Sequence, residues 1–157
     1  MDINRAVVFF KEKGLENRIQ AMSESTASAI EAAQAINVEL GMIAKSLTFR
    51  TNDRPVLVVM SGDAKIDSKK FKETFGVKSK MLEPDIVEKY TGYTIGGVCP
   101  FNLISDGIDV YLDKSLQRYE KVYPGCGDSV TLVGVTLNEL EEFSNFVDWV
   151  DIGKSWE

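Results

Sequence analysis

Two short segments carry residues whose type and spacing could do chemistry. In IAKSLTF, the alternation of a β-strand would place Lys45 in one row with Ile43, Leu47 and Phe49, leaving Ala44, Ser46, Thr48 and Arg50 on the other face. A lysine in an apolar row either snorkels its ammonium to the sheet edge or projects it into a polar cavity, because burying an unpaired charge is strongly unfavourable. The second arrangement would make an anion contact on a pocket floor. The other segment, GYTIGGVCPFN, spans residues 92–102. Gly96 and Gly97 lack the side chain that would block a close approach and can take positive φ, so their N–H groups could meet a ligand directly. Pro100 fixes the exit direction. A bend open to solvent would not ordinarily carry Ile95, Val98 and Phe101, so the loop is expected to fold inward and line a cavity.

The residue inventory narrows the chemistry further. The chain has no histidine, so it can build neither a Ser-His-Asp nor a Cys-His nucleophile pair, nor a zinc site of the usual Cys/His kinds. Carboxylates, lysines, thiols, tyrosines, backbone dipoles and the substrate's own groups remain. Of the two thiols, Cys99 reads as a small packing residue of the pocket wall and Cys126 as structural. A thiol-dependent acyl hydrolase using Cys99 is a competing reading.

The elements that must position these groups belong to one domain of 157 residues, 44% hydrophobic and 10% aromatic, with a formal charge of −6. The apolar runs are too short to span a bilayer, the N-terminus lacks the layout of a signal peptide, and two cysteines suit a reducing compartment, so a cytoplasmic location is expected. Local signals predict a helix over 3–13 capped by Asp2 and ended by Gly14, a strand near 18–22, and a helix in TASAIEAAQAI after Ser25. Strands over 43–50 and 55–61 should pair as a hairpin, the second buried on both faces. Helices are expected after the cap Asp67 to about Phe75, from Glu83-Pro84-Asp85 to near Thr91-Gly92 and from Thr136 to about Phe143, with strands near 109–112, 119–123 and 129–133. The pattern is α+β around a mixed sheet.

In order along the chain, STASAIEAA, IAKSLTF, VLVVMSGDAKID, TGYTIGGVCPFN and VYLDKSL resemble the YbaK and prolyl-tRNA synthetase editing-domain family of aminoacyl-tRNA deacylases, over about residues 23–143. The strand lysine and the TGY-x-x-GGV-x-PF loop are the most specific pieces. The resemblance implies a strongly curved mixed sheet flanked by helices, and a free-standing, trans-acting enzyme that hydrolyses the ester of a small uncharged amino acid on a mischarged tRNA, with tRNA-Pro a candidate. It implies no metal and no cofactor. By the same analogy Lys45 anchors the terminal nucleotide and the backbone at Gly96 and Gly97 holds the reacting carbonyl. Thr94, Ile95, Val98, Cys99, Pro100 and Phe101 would form the amino-acid pocket and Asp128 would meet the amine, although Ser129 falls at the matching place. A ribose hydroxyl would activate the water. The chain departs from the family at Asn102, where glycine is usual, and at Cys99, where many members have Ser or Ala. A binding module that recognises aminoacyl-tRNA or a free amino acid without cleaving it is the alternative.

The net charge argues against broad nucleic-acid binding, but Lys65, Lys69, Lys70, Lys72, Lys78 and Lys80 outweigh Asp67 and Glu73 in one stretch. Lys65, Lys69, Lys70 and Lys72 are the expected tRNA contacts, with a solvated helix face as the plainer explanation. A synthetase is a further candidate partner.

Overall fold

Hydrophobic alternation and cap residues account for most of the elements. The computed structural model describes residues 4–157. Helix α1 (Arg5–Glu12) is capped by Asn4, whose side chain accepts from the N–H groups of Ala6 and Val7, both at 3.1 Å; the expected cap Asp2 lies outside the described residues. Gly14, at φ 73°, ends the helix as anticipated. After β1 (Ile19–Ala21), helix α2 (Ala29–Ile36) starts three residues later than the position of Ser25 and Thr26 suggested. Ser28 is the cap, accepting from Glu31 N–H at 3.1 Å. Residues 22–27 are instead drawn alongside 129–130, where Met22 and Thr26 donate to the carbonyls of Val130 and Ser129. Tertiary hydrogen bonds there override the helix propensity of the alanines.

The hairpin forms as expected from β2 (Ile43–Phe49) and β3 (Val56–Ser61), antiparallel with Lys45 opposite Met60. Every residue of β3 is buried. Leu57 and Val59 join a core with Phe10 of α1 and Phe101, while Val58 and Met60 join another with Phe71 of helix α3 (Ser68–Phe75). Asp67 caps α3, accepting from Lys70 N–H at 3.0 Å. Pro84 opens helix α4 (Pro84–Thr91), which Gly92 ends at φ 82°.

The remaining strands are short: β4 (Lys65–Ile66), β5 (Asp109–Asp113), β6 (Lys121–Pro124), β7 (Thr131–Val133), β8 (Val135–Thr136), β9 (Asp148–Val150) and β10 (Gly153–Lys154). Thr136 opens helix α5 (Leu137–Ser144) with a reciprocal capping box to Glu139. Six strands form one mixed sheet in the order β8-β6-β2-β3-β5-β9, and β1-β7 and β4-β10 pair separately. The result is the α+β arrangement of a curled mixed sheet with helices against it. β6 touches β2 only at Ile43 and Ala44, so beyond Ala44 the outer edge of β2 is open until an isolated bridge joins Phe49 to Met81. A cavity forms beside that open edge. No helix among the described residues is long and apolar enough to cross a membrane.

Candidate active site

The cavity holds about 280 Å³, and both Lys45 and Gly96 line it. β2 supplies one wall, the start of α2 another, and the loop after α4 a third through Ile95, Gly96 and Val98. Lys45 is half-buried, and its Nζ donates to the Ala64 carbonyl at 2.5 Å and the Gly62 carbonyl at 3.5 Å. Among the described residues no carboxylate comes within ion-pair distance of it. Burial pushes its pKa below the usual lysine value; Asp63 opposes this and Lys65 adds to it. Among the described residues, the lysine is the sole ionisable one of the lining.

The two glycines of the bend serve different ends. Gly96 sits at φ 96°, a conformation costly for other residues, with room for a β-carbon 3.4 Å from Ala27 Cβ. Gly97 is required by close packing: a β-carbon there would lie 2.7 Å from Asp128 Cα and 2.8 Å from the Gly127 carbonyl oxygen. Its N–H donates to the Thr94 carbonyl at 2.9 Å, so it is already engaged within the turn. The N–H groups of Gly96 and Val98 have no protein acceptor among the described residues.

Other expected contacts lie elsewhere. Thr94 is exposed beside the cavity, whereas Cys99 is wholly buried behind its wall, in the core with Phe101. Burial pushes the Cys99 thiol up to about 11, although N–H groups of Phe101 and Gly127 and the Tyr93 hydroxyl work against that rise. Phe101 stacks on Phe9 and meets Phe10 edge to face, and Pro100 lines a separate cavity of about 490 Å³. Asp128 is half-buried and accepts from Val130 N–H at 2.9 Å and Asn4 Nδ2 at 3.3 Å. Lys65, Lys69 and Lys72 are exposed, while Lys70 Nζ is tied to Asp151 and to the Gly153 carbonyl, each at 3.1 Å.

Several lining residues carry little or no local signal in the sequence. Met81, half exposed, closes the open edge of β2, and Thr26 and Ser46 present hydroxyls that are buried without a hydrogen-bond partner. Ser46 was visible as the neighbour of Lys45. Met81 carried no local signal, because only the bridge to Phe49 brings it there.

The sequence matches the family described as "Aminoacyl-tRNA editing domain" over residues 23–143, the span that contains every one of these cavity elements. The chain belongs to that family. This editing domain is 44% identical over 158 residues to the uncharacterized protein YwhH of Bacillus subtilis, covering 100% of both chains. It is 28% identical to the prolyl-tRNA editing protein ProX of Acetoanaerobium sticklandii, covering 90% of each. Its fold matches a crystal structure given the candidate role of trans-editing enzyme for prolyl tRNA synthetase, with a TM-score of 0.84, 29% identity, and coverage of 96% of this chain and 95% of that one.

Proposed function

We propose that this editing domain is a trans-acting aminoacyl-tRNA deacylase that hydrolyses the ester of a small uncharged amino acid on a mischarged tRNA, with tRNA-Pro the first to test. The observation that carries this reading is the placement of Lys45 and the Gly96 bend on the walls of one small cavity. Its 280 Å³ lies just under the usual range for small-molecule pockets, of roughly 300–1,000 Å³, and suits an aminoacyl ribose better than a whole nucleotide. The partnerless hydroxyls of Thr26 and Ser46 favour a ligand rich in hydrogen-bonding groups, as an amino-acid ester of ribose is.

In the proposed reaction water adds to the ester carbonyl, the tetrahedral oxyanion collapses, and the ribose oxygen leaves with a proton as the free amino acid departs. The N–H groups of Gly96 and Val98 are the available oxyanion donors; one such donor contributes about 3 kcal/mol in comparable acyl-transfer sites. The Lys45 ammonium anchors the terminal phosphate. With no carboxylate or histidine in the lining, the vicinal ribose hydroxyl is the group left to orient the water and to relay its proton to the leaving ribose oxygen. Lys65, Lys69 and Lys72 supply exposed positive charge for the acceptor stem, and Lys70 a weaker share. A cavity of about 280 Å³ that must also hold the ribose leaves limited room for the side chain, which supports small amino acids as the substrate class.

A panel of tRNAs charged with alanine, cysteine, serine, threonine or proline tests the reading. Release of one or more small non-cognate residues is expected. Tight binding across the panel with no release would favour a non-hydrolytic binding module instead.

A further inference from the structure

The turn that receives Lys45 is held from outside the cavity. Lys45 Nζ rests on the carbonyls of Gly62 and Ala64, the two neighbours of Asp63. The Asp63 carboxylate does not take the lysine; it is gripped by Arg118, with Nη1 to Oδ2 at 2.9 Å and Nη2 to Oδ1 at 2.7 Å. This is the two-pronged geometry in which arginine binds a carboxylate most firmly. Arg118 is itself fixed. Its Nε donates to the Ser115 carbonyl and its Nη1 to the Trp156 carbonyl, both at 2.9 Å, and its guanidinium lies over the rings of Tyr119 and Trp156. Ser115 Oγ accepts from Ser61 N–H at 3.1 Å, so the segment after β5 and the C-terminal residues brace the turn together.

We propose that Arg118 is a positioning residue for Lys45: its fork holds the Asp63 carboxylate away from the lysine and so leaves the ammonium resting on the two carbonyls of the turn. An ammonium held by two neutral carbonyls can turn to a substrate anion, whereas one paired with Asp63 would have to be pulled from a carboxylate first. The anion-binding role of Lys45 is taken from the deacylase reading above; the coupling of Arg118 to Lys45 is not. The charged groups that act on the lysine are Asp63 on the turn and Lys65 on β4, while Tyr119 after β5 and Glu39 ahead of β2 stand beside the Arg118–Asp63 fork.

The test uses the full chain. The reactivity of the Lys45 amine towards acetic anhydride is measured by mass spectrometry over a pH series, in wild type, Arg118→Gln, Arg118→Lys, Asp63→Asn and the Arg118→Gln/Asp63→Asn double variant, beside KM and kcat for deacylation. In Arg118→Gln the freed carboxylate moves the Lys45 titration to higher pH and raises KM roughly tenfold, the equivalent of one unit of pKa in charge interaction. Arg118→Lys falls between, because it keeps the charge without the fork. The double variant returns both readouts towards wild type, and Asp63→Asn alone moves the titration to lower pH. A purely structural arginine would leave the double variant as impaired as the single one. That result, or a Lys45 titration unchanged in Arg118→Gln, overturns the proposal. If Arg118→Gln does not fold, Arg118→Lys decides: a Lys45 titration and KM unchanged from wild type in that variant overturn the proposal. The labelling needs no tRNA, so a titration that shifts as expected in a protein that deacylates nothing supports the positioning role while the deacylase reading falls.

Discussion

Gly97 lies against Asp128 so closely that a β-carbon on the glycine would stand 2.7 Å from the aspartate Cα. The contact is backbone to backbone, so no side-chain movement relieves it. It locks the bend that carries Gly96 and Val98 onto the loop before β7, and thereby sets where the free N–H groups of the bend sit. Gly97→Ala should therefore cost about 1–3 kcal/mol of stability through overpacking and reduce turnover as the bend shifts. Gly96→Ala, strained by its φ but sterically free, should cost about 1–2 kcal/mol. Thermal unfolding beside deacylation rates checks both; a Gly97→Ala protein as stable and active as wild type would contradict the packing argument.

The basic face separates into free and committed lysines. Lys65, Lys69 and Lys72 are exposed, and Lys70 is bound to Asp151. If the first three meet phosphates, each Lys→Ala change should weaken tRNA binding and lower the salt slope of log K by about one. Lys70→Ala should change it less. Affinity titrated across salt concentrations reads this directly.

Burial of the thiols predicts resistance to alkylation. Cys99 and Cys126 are fully buried and the burial raises both thiol pKa values, Cys99 to about 11. An alkylating reagent at neutral pH should leave activity intact in the native protein and react only on unfolding. Cys99→Ala should keep the chemistry and lose about 1 kcal/mol of stability through the small cavity it leaves. Rapid loss of activity on alkylation of the native protein would revive a thiol mechanism.

Glu139 supplies an acid-dependent share of stability. It accepts from Arg18 at 2.8 and 3.0 Å and closes the capping box of α5, and the Arg18 hydrogen bond is the largest cause of its depressed pKa. A depressed carboxylate contributes stability above its unfolded pKa and loses it as pH falls through the folded value. Glu139→Gln should therefore be about 1 kcal/mol less stable at neutral pH, and the gap to wild type should close under acid. Denaturant melts at neutral and acidic pH measure that gap.

What the sequence made legible is where local rules apply. Asp67, Pro84 and Thr136 mark helix starts because caps act within one turn, and VLVVMS reads as a doubly buried strand because its run is unbroken. Lys45 stood out as a charge in an apolar row. The start of α2 was not legible, since Ser25 and Ser28 are both competent caps and hydrogen bonds to residues 129 and 130 choose between them. Strands β4, β8 and β10 are two residues long, too short to show alternation. Met81 and the Arg118–Asp63 fork depend on contacts between distant segments that no local pattern records.

The Lys45 ammonium shares its cavity with the Gly96 bend, and its proposed role is to hold the charged end of the substrate. Single-turnover release of the amino acid from the preferred mischarged tRNA should fall roughly a hundredfold or more in Lys45→Ala, with thermal unfolding close to wild type. Release at the wild-type rate by a folded Lys45→Ala protein would contradict the account.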